Sequence, residues 1–142
     1  MRYLLDTNVV SELRKRSGDR TVKSWVSGQS ATDLAISVVT VIEIEIGILG
    51  KSRTDPEQAQ LLTRWFEERV LAGFRDRILP LDLAAARRVP PLHVPDRAPQ
   101  HDALIAGTAL ARSLVVVTRN TRDFEGTGVS LVNPWPSDTP PA

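Results

Sequence analysis

The stretch Tyr3–Leu13 constrains the fold most strongly, because a short apolar run ends at an aspartate and a helical pattern follows at once. Tyr3–Leu5 has the character of a strand buried on both faces, which is typical of a parallel sheet. The next residues place apolar side chains at helical spacing, with Thr7 or Asn8 available as the N-cap. Asp6 is therefore expected where a strand passes into a helix, at the sheet edge where α/β proteins bind their ligands.

Apolar runs of strand type alternate with helical patterns along the rest of the chain. Thr40 and Glu43 have the spacing of a capping box at the start of one helix, and Asp55-Pro56 is a strong start for another. The patterns predict further strands over 34–39, 78–81, 114–118 and 129–132, and further helices over 22–28, 40–49, 56–74, 83–89 and 101–112. Strands separated by helices predict an α/β fold, a three-layer α/β/α sandwich around a central parallel sheet of four to five strands.

Length and composition indicate one domain. A chain of 142 residues with 42% hydrophobic content can build one core. We predict a single domain over 1–133 and a flexible, proline-rich tail over 134–142. The absence of cysteine excludes disulfides and thiolate metal sites. No apolar run approaches the roughly 20 residues of a membrane span, and Asp6 interrupts any signal-like start. We therefore expect a soluble, cytoplasmic protein.

Four acids occupy similar places relative to the predicted strands. Asp6, Glu43 and Asp123 follow strand ends, and Asp102 opens the helix that leads into the strand over 114–118. Each one alone has a structural interpretation, as a helix cap, a first-turn acid or a turn residue. Because parallel strands end at one edge of the sheet, all four are expected to converge there.

Converging carboxylates repel one another and raise one another's pKa unless a cation compensates. Oxygen ligands without cysteine or paired histidine suit a hard ion, Mg²⁺ or Mn²⁺. Such an ion can activate water and stabilise charge on a phosphate, which points to phosphodiester hydrolysis. The net charge of +1 also hides an imbalance, because setting those four acids aside leaves about +5 on the rest of the chain, a charge that suits a polyanion.

Five segments, in order, resemble the motifs of PIN-domain ribonucleases, and of VapC toxins in particular. They are Leu4–Asn8, Thr40–Gly47, His101–Ala109, Thr118–Phe124 and Val132–Trp135. Each segment alone is a weak signal, whereas the ordered set spans essentially the whole chain. The segments around Asp102 and Asp123 are most similar to the FitB-like branch.

The resemblance implies a Mg²⁺- or Mn²⁺-dependent endoribonuclease that acts as the toxin of a toxin–antitoxin pair. It also implies a homodimer, an RNA substrate and silencing by a VapB-type antitoxin. Carried over by position, one or two metal ions would be held by Asp6, Glu43, Asp102 and Asp123. Supporting polar roles would fall to Asn8, Thr118 and Asn120.

Three other interpretations fit the sequence less well. A receiver-like phosphoacceptor domain would need a lysine after its last strand, and Lys15, Lys23 and Lys51 all lie elsewhere. An aspartate-nucleophile phosphatase would need an aspartate where Asn8 stands. A catalytically silent PIN-like domain that binds partners or RNA is the third. His101 has no spaced histidine partner, so a surface or capping role is expected for it.

Overall fold

A computed structural model of the protein describes residues 1–136. Five strands form one sheet in the order β3-β2-β1-β4-β5, and every neighbouring pair is parallel. The strands are β1 (Tyr3–Leu5), β2 (Leu34–Ser37), β3 (Ile78–Leu79), β4 (Val115–Val117) and β5 (Leu131–Val132). The helices are α1 (Thr7–Arg14), α2 (Arg20–Ser27), α3 (Val38–Ser52), α4 (Pro56–Trp65), α5 (Leu83–Arg88) and α6 (Gln100–Arg112).

The sheet is covered on both faces, which confirms the predicted three-layer sandwich. Alternate residues of β1 point to opposite sides, so Tyr3 and Leu5 enter one buried cluster and Leu4 enters the other. The first cluster includes residues of α1, α2 and α3, and the second includes Ile105 and Ala106 of α6. This burial on both faces explains why β1 is apolar at three successive positions.

The order of the strands places β1 at the point where the chain reverses its direction across the sheet. The chain runs outward from β1 through β2 to β3, and later from β4 to β5 on the other side. Such a switch point opens a crevice at the carboxyl ends of the strands. Leu5 pairs with Val117 in the register of β1 and β4, so Asp6 and Thr118 emerge side by side at that crevice.

Two predicted helix starts were wrong by a few residues. Asp6 itself caps α1, because its side chain accepts a hydrogen bond from the Thr7 backbone N–H at 2.8 Å. Strand β2 ends at Ser37, whose hydroxyl accepts from the Val39 N–H at 2.9 Å and caps α3. Thr40 therefore lies inside α3, and the predicted capping box does not form.

The single helix predicted over 56–74 is also interrupted. It begins as expected, with Asp55 capping α4 through the Gln58 N–H. After α4 the chain continues as a π-helical segment, Phe66–Leu71, which buries Phe66 and Val70. The wider turn of a π-helix changes the apolar periodicity, which an unbroken α-helical pattern could not anticipate.

The first residues of the segment predicted as a tail, 134–142, pack against the domain. Pro134 is buried, and Trp135 packs against the first cluster while the Arg119 guanidinium lies 5.2 Å from its ring centre. Packing thus extends to Trp135, and the rest of the predicted tail, 137–142, lies outside the described residues. Within residues 1–136 no helix has the length and apolar character that crossing a membrane requires.

Candidate active site at the carboxyl edge of the sheet

Asp6 is the most deeply buried of the four acids, with 5% of its surface exposed. Its Oδ2 accepts a hydrogen bond of 2.7 Å from the hydroxyl of the buried Thr118. Its Oδ1 accepts from the Thr7 N–H. The Asn8 amide lies 3.3 Å from the Thr118 hydroxyl oxygen, and the Asn120 backbone N–H donates to that same oxygen at 3.0 Å. These contacts fix the Asp6 carboxylate at the end of β1.

The predicted supporting residues therefore divide by type of contact. Thr118 contacts Asp6 directly, and Asn8 contacts Thr118 and lies 3.5 Å from Asp6 Oδ2. The side chain of Asn120 is exposed, and its contribution to this network comes from the backbone N–H.

Glu43 projects from α3 with both carboxylate oxygens engaged. The Thr7 hydroxyl donates to Oε1, and that hydroxyl oxygen also lies 3.0 Å from the hydroxyl oxygen of the buried Thr40. Oε2 lies 3.0 Å from Nδ1 of His101. His101 is exposed, as a surface role requires, and it also contacts the Glu43 carboxylate.

Asp102 and Asp123 complete the group. Asp102 lies in the first turn of α6, and Asp123 is exposed in the short 3₁₀ segment Thr121–Phe124. Burial raises the pKa of Asp102 from near 3.8 to about 6, and the charges of Asp6, Asp123 and Glu43 add to the rise. All four predicted acids are therefore close enough to influence one another.

The same effects act on Asp6. Burial raises its pKa most, and the charges of Glu43 and Asp123 contribute, against the opposing hydrogen bonds from Thr118 and Thr7. A cluster with raised carboxyl pKa values at a sheet crevice is the pattern expected of a functional site.

The donor set fits a hard divalent cation, because carboxylate oxygens and compensation of their mutual repulsion are what such an ion provides. Among residues 1–136, however, no three His, Asp or Glu side chains are gathered as a cage around one point. The two carboxylate oxygens of Glu43 contact the Thr7 hydroxyl and Nδ1 of His101. The site is an acidic cluster held by neutral and imidazole donors.

A cleft of about 490 Å³ adjoins this cluster between α1, α3 and α4. Glu43 lies at its edge beside the acids, and Trp65 contributes to its apolar wall. The exposed cations Arg14 and Lys51 line it together with Asp55. Neither cation forms a salt bridge within the described chain. The cleft thus offers free positive charge next to a cluster of negative charge.

Two residues that contact Glu43, Thr7 and His101, could not be identified as its partners from sequence. The sequence pattern indicates only a helix cap at Thr7, whereas in the structure its hydroxyl links the Asp6 segment to Glu43. His101 directly precedes Asp102 and opens the family-like segment His101–Ala109, but neither feature indicates a contact with Glu43.

The fold is that of the PIN-domain family, and the chain belongs to this family, whose model matches residues 3–129. Among its relatives, VapC ribonuclease Y4jK of Sinorhizobium fredii is 36% identical over 93% of this chain and 96% of its own length. Toxin FitB of Neisseria gonorrhoeae is 34% identical over 93% of this chain and 97% of its own length. The crystal structure of FitAcB from Neisseria gonorrhoeae superposes with a TM-score of 0.86 at 30% identity, covering 94% of this chain and 98% of that one.

These findings confirm the resemblance noted from the five sequence segments. They also lead us to expect that the protein requires a divalent metal ion, because PIN-domain ribonucleases generally depend on such ions.

Proposed function

We propose that this protein is a Mg²⁺- or Mn²⁺-dependent endoribonuclease and the toxin of a VapBC-type toxin–antitoxin pair. The observation that carries the proposal is the convergence of four mutually repelling carboxylates at the switch point of a PIN-domain sheet. Full-length relatives named as a VapC ribonuclease and as toxin FitB support the same activity.

In this proposal Asp6, Glu43, Asp102 and Asp123 hold one or two divalent ions per subunit. Such an ion supplies activation of water and neutralisation of charge on the phosphate. The protein's contribution is to position the oxygens: the Thr118 hydroxyl holds Oδ2 of Asp6, and the N-terminus of α1 holds Oδ1.

The RNA backbone is proposed to approach the acids along the cleft that Arg14 and Lys51 line. Two exposed cations beside an acidic centre can contact phosphates on either side of a scissile bond without neutralising the acids. Trp65 closes the apolar wall of that cleft and packs against the first cluster. Because RNA is the substrate, the protein is proposed to act in the cytoplasm.

A VapB-type antitoxin is the proposed partner, since the structural neighbours include a toxin–antitoxin complex from Klebsiella pneumoniae. We also propose a homodimer, for which α3 offers Ile42, Ile46 and Leu49, each more than half exposed and spaced along one side of the helix. Light scattering on Ile46→Lys tests this surface. A mass that falls from dimer to monomer supports it, and an unchanged dimer contradicts it.

The alternative function is a catalytically silent PIN-like domain that binds RNA or a partner. A cleavage assay separates the two. We expect the antitoxin-free protein to cut total cellular RNA with Mn²⁺, and to lose this activity in EDTA and in the Asp6→Asn variant. Asp76→Asn is the matched control, because Asp76 is exposed and precedes β3 at the opposite edge of the sheet. RNA that is bound but left intact by a metal-loaded wild type would favour the silent domain.

A further inference from the structure

We propose that His101 is a positioning residue that holds the Glu43 carboxylate in the acidic cluster and thereby sets the affinity for the divalent ion. The proposal rests on the proposed metal site and adds to it a residue outside the four acids.

The contact itself fixes the direction of the hydrogen bond. Nδ1 of His101 lies 3.0 Å from Oε2 of Glu43. A carboxylate oxygen can only accept, so Nδ1 must carry the hydrogen and donate it. In the neutral ring this selects the Nδ1–H tautomer and leaves Nε2 as the unprotonated nitrogen.

The contact also joins the two sides of the site. Glu43 lies on α3 and His101 on the first turn of α6, directly before Asp102. It is the one side-chain hydrogen bond between these two helices in the part of the chain that the structure describes. Glu43 is thus drawn toward the helix that carries another site acid.

Glu43 needs such a partner more than the other acids do. Its side chain has three rotatable bonds, is 28% exposed and faces the negative charges of Asp6 and Asp102. Repulsion and conformational entropy both favour rotation of this carboxylate into solvent. Thr7 restrains Oε1 from one side, and His101 restrains Oε2 from the other.

Partners that orient metal ligands typically change metal affinity by about 10- to 100-fold when they are removed. His101 is 47% exposed and one of two donors to Glu43, so the lower end, about 10-fold, is expected for His101→Ala. His101→Asn provides a conservative rescue, because its amide nitrogen occupies nearly the same place on the side chain as Nδ1.

The test is calorimetric titration of Mn²⁺ into the full antitoxin-free chain, with thermal unfolding in EDTA to verify folding. We expect about 10-fold weaker binding in His101→Ala, and binding within about threefold of wild type in His101→Asn. His93→Ala is the matched control, since the only other histidine bonds to Gln100 and to the Ala98 N–H and has no bond to Glu43.

Asp102→Asn serves as the reference for the metal site. If Asp102→Asn loses Mn²⁺ binding while His101→Ala binds as tightly as wild type or more tightly, the positioning role is overturned and the site stands. If Asp102→Asn also binds as wild type does, the proposed metal site fails first. Long-range ¹H–¹⁵N spectra of the metal-free wild type give an independent readout that needs no variant. A neutral His101 with its proton on Nε2 would overturn the proposal.

Discussion

Removing one negative charge from the acidic cluster should stabilise the metal-free protein, although it disables the site. The perturbation is Asp102→Asn. The pKa of Asp102 is raised from near 3.8 to about 6 by burial and by the neighbouring acids. Because the pKa of Asp102 is higher in the folded than in the unfolded protein, the contribution of this carboxyl to the free energy of unfolding is fully present below about pH 4. That contribution is lost as the pH rises through about 6.

The size of the effect follows from that pKa. At neutral pH the full rise in the pKa of Asp102 would correspond to a loss of about 3 kcal/mol in the free energy of unfolding. Because Asp102 is only half-buried, solvent screening reduces this loss to roughly 2 kcal/mol. The N-terminus of α6 favours the charge by up to about 1 kcal/mol. A net gain of about 1 kcal/mol remains, which corresponds to a rise in Tm of about 2–5 °C.

Differential scanning calorimetry in EDTA at low salt measures this gain. We expect Asp102→Asn to melt 2–5 °C above wild type at pH 7.5, with the difference shrinking toward pH 4. Saturating Mn²⁺ should reverse the order, because a ligand stabilises only the protein that binds it. The control Asp76→Asn should leave Tm within about 1 °C. An Asp102→Asn variant that melts at or below wild type at pH 7.5 would refute the inferred repulsion.

Three further predictions concern other parts of the site and its support. Thr118→Val should lower the free energy of unfolding in urea by about 1–3 kcal/mol, because a buried oxygen of Asp6 loses its hydroxyl donor. The control Thr108→Val should cost less, because the Thr108 hydroxyl bonds only within its own helix, and equal losses would contradict this prediction. Gly107→Ala should lower the free energy of unfolding by about 1–3 kcal/mol, since an added Cβ would lie 2.9 Å from a backbone oxygen of α5. Gly50→Ala should raise the free energy of unfolding by up to about 1 kcal/mol, because there is open space around Gly50. Lys51→Ala should raise KM for RNA at unchanged kcat, and it should reduce the slope of the logarithm of RNA affinity against the logarithm of salt concentration by about 0.7. An unchanged slope would show that Lys51 does not contact the RNA backbone.

The convergence of the acids could be predicted from sequence because it depends mainly on topology. A buried apolar triplet followed by Asp6 defines a strand end, and parallel strands bring all such ends to one edge. The geometry of that edge then follows from the register that pairs Leu5 with Val117. Neither step requires knowledge of a side-chain rotamer.

The details that escaped prediction depend on choices between equivalent local signals or on tertiary contacts. Ser37 and Thr40 are both good N-caps, and only the structure shows that Ser37 ends β2 first. The contact between His101 and Glu43 joins residues 58 positions apart and has no periodicity that would reveal it. The π-helical segment after α4 depends on the burial of Phe66 and Val70 against the core.

The most direct test of the central claim is a Mn²⁺ titration by calorimetry of the antitoxin-free protein and its Asp6→Asn variant, with Asp76→Asn as control. The proposed four-acid site predicts saturable binding by wild type and control, and loss of most of that binding in Asp6→Asn. Equal binding by all three proteins would mean that the converging acids are helix caps and turn residues, and the proposal of a metal-dependent ribonuclease would have to be abandoned.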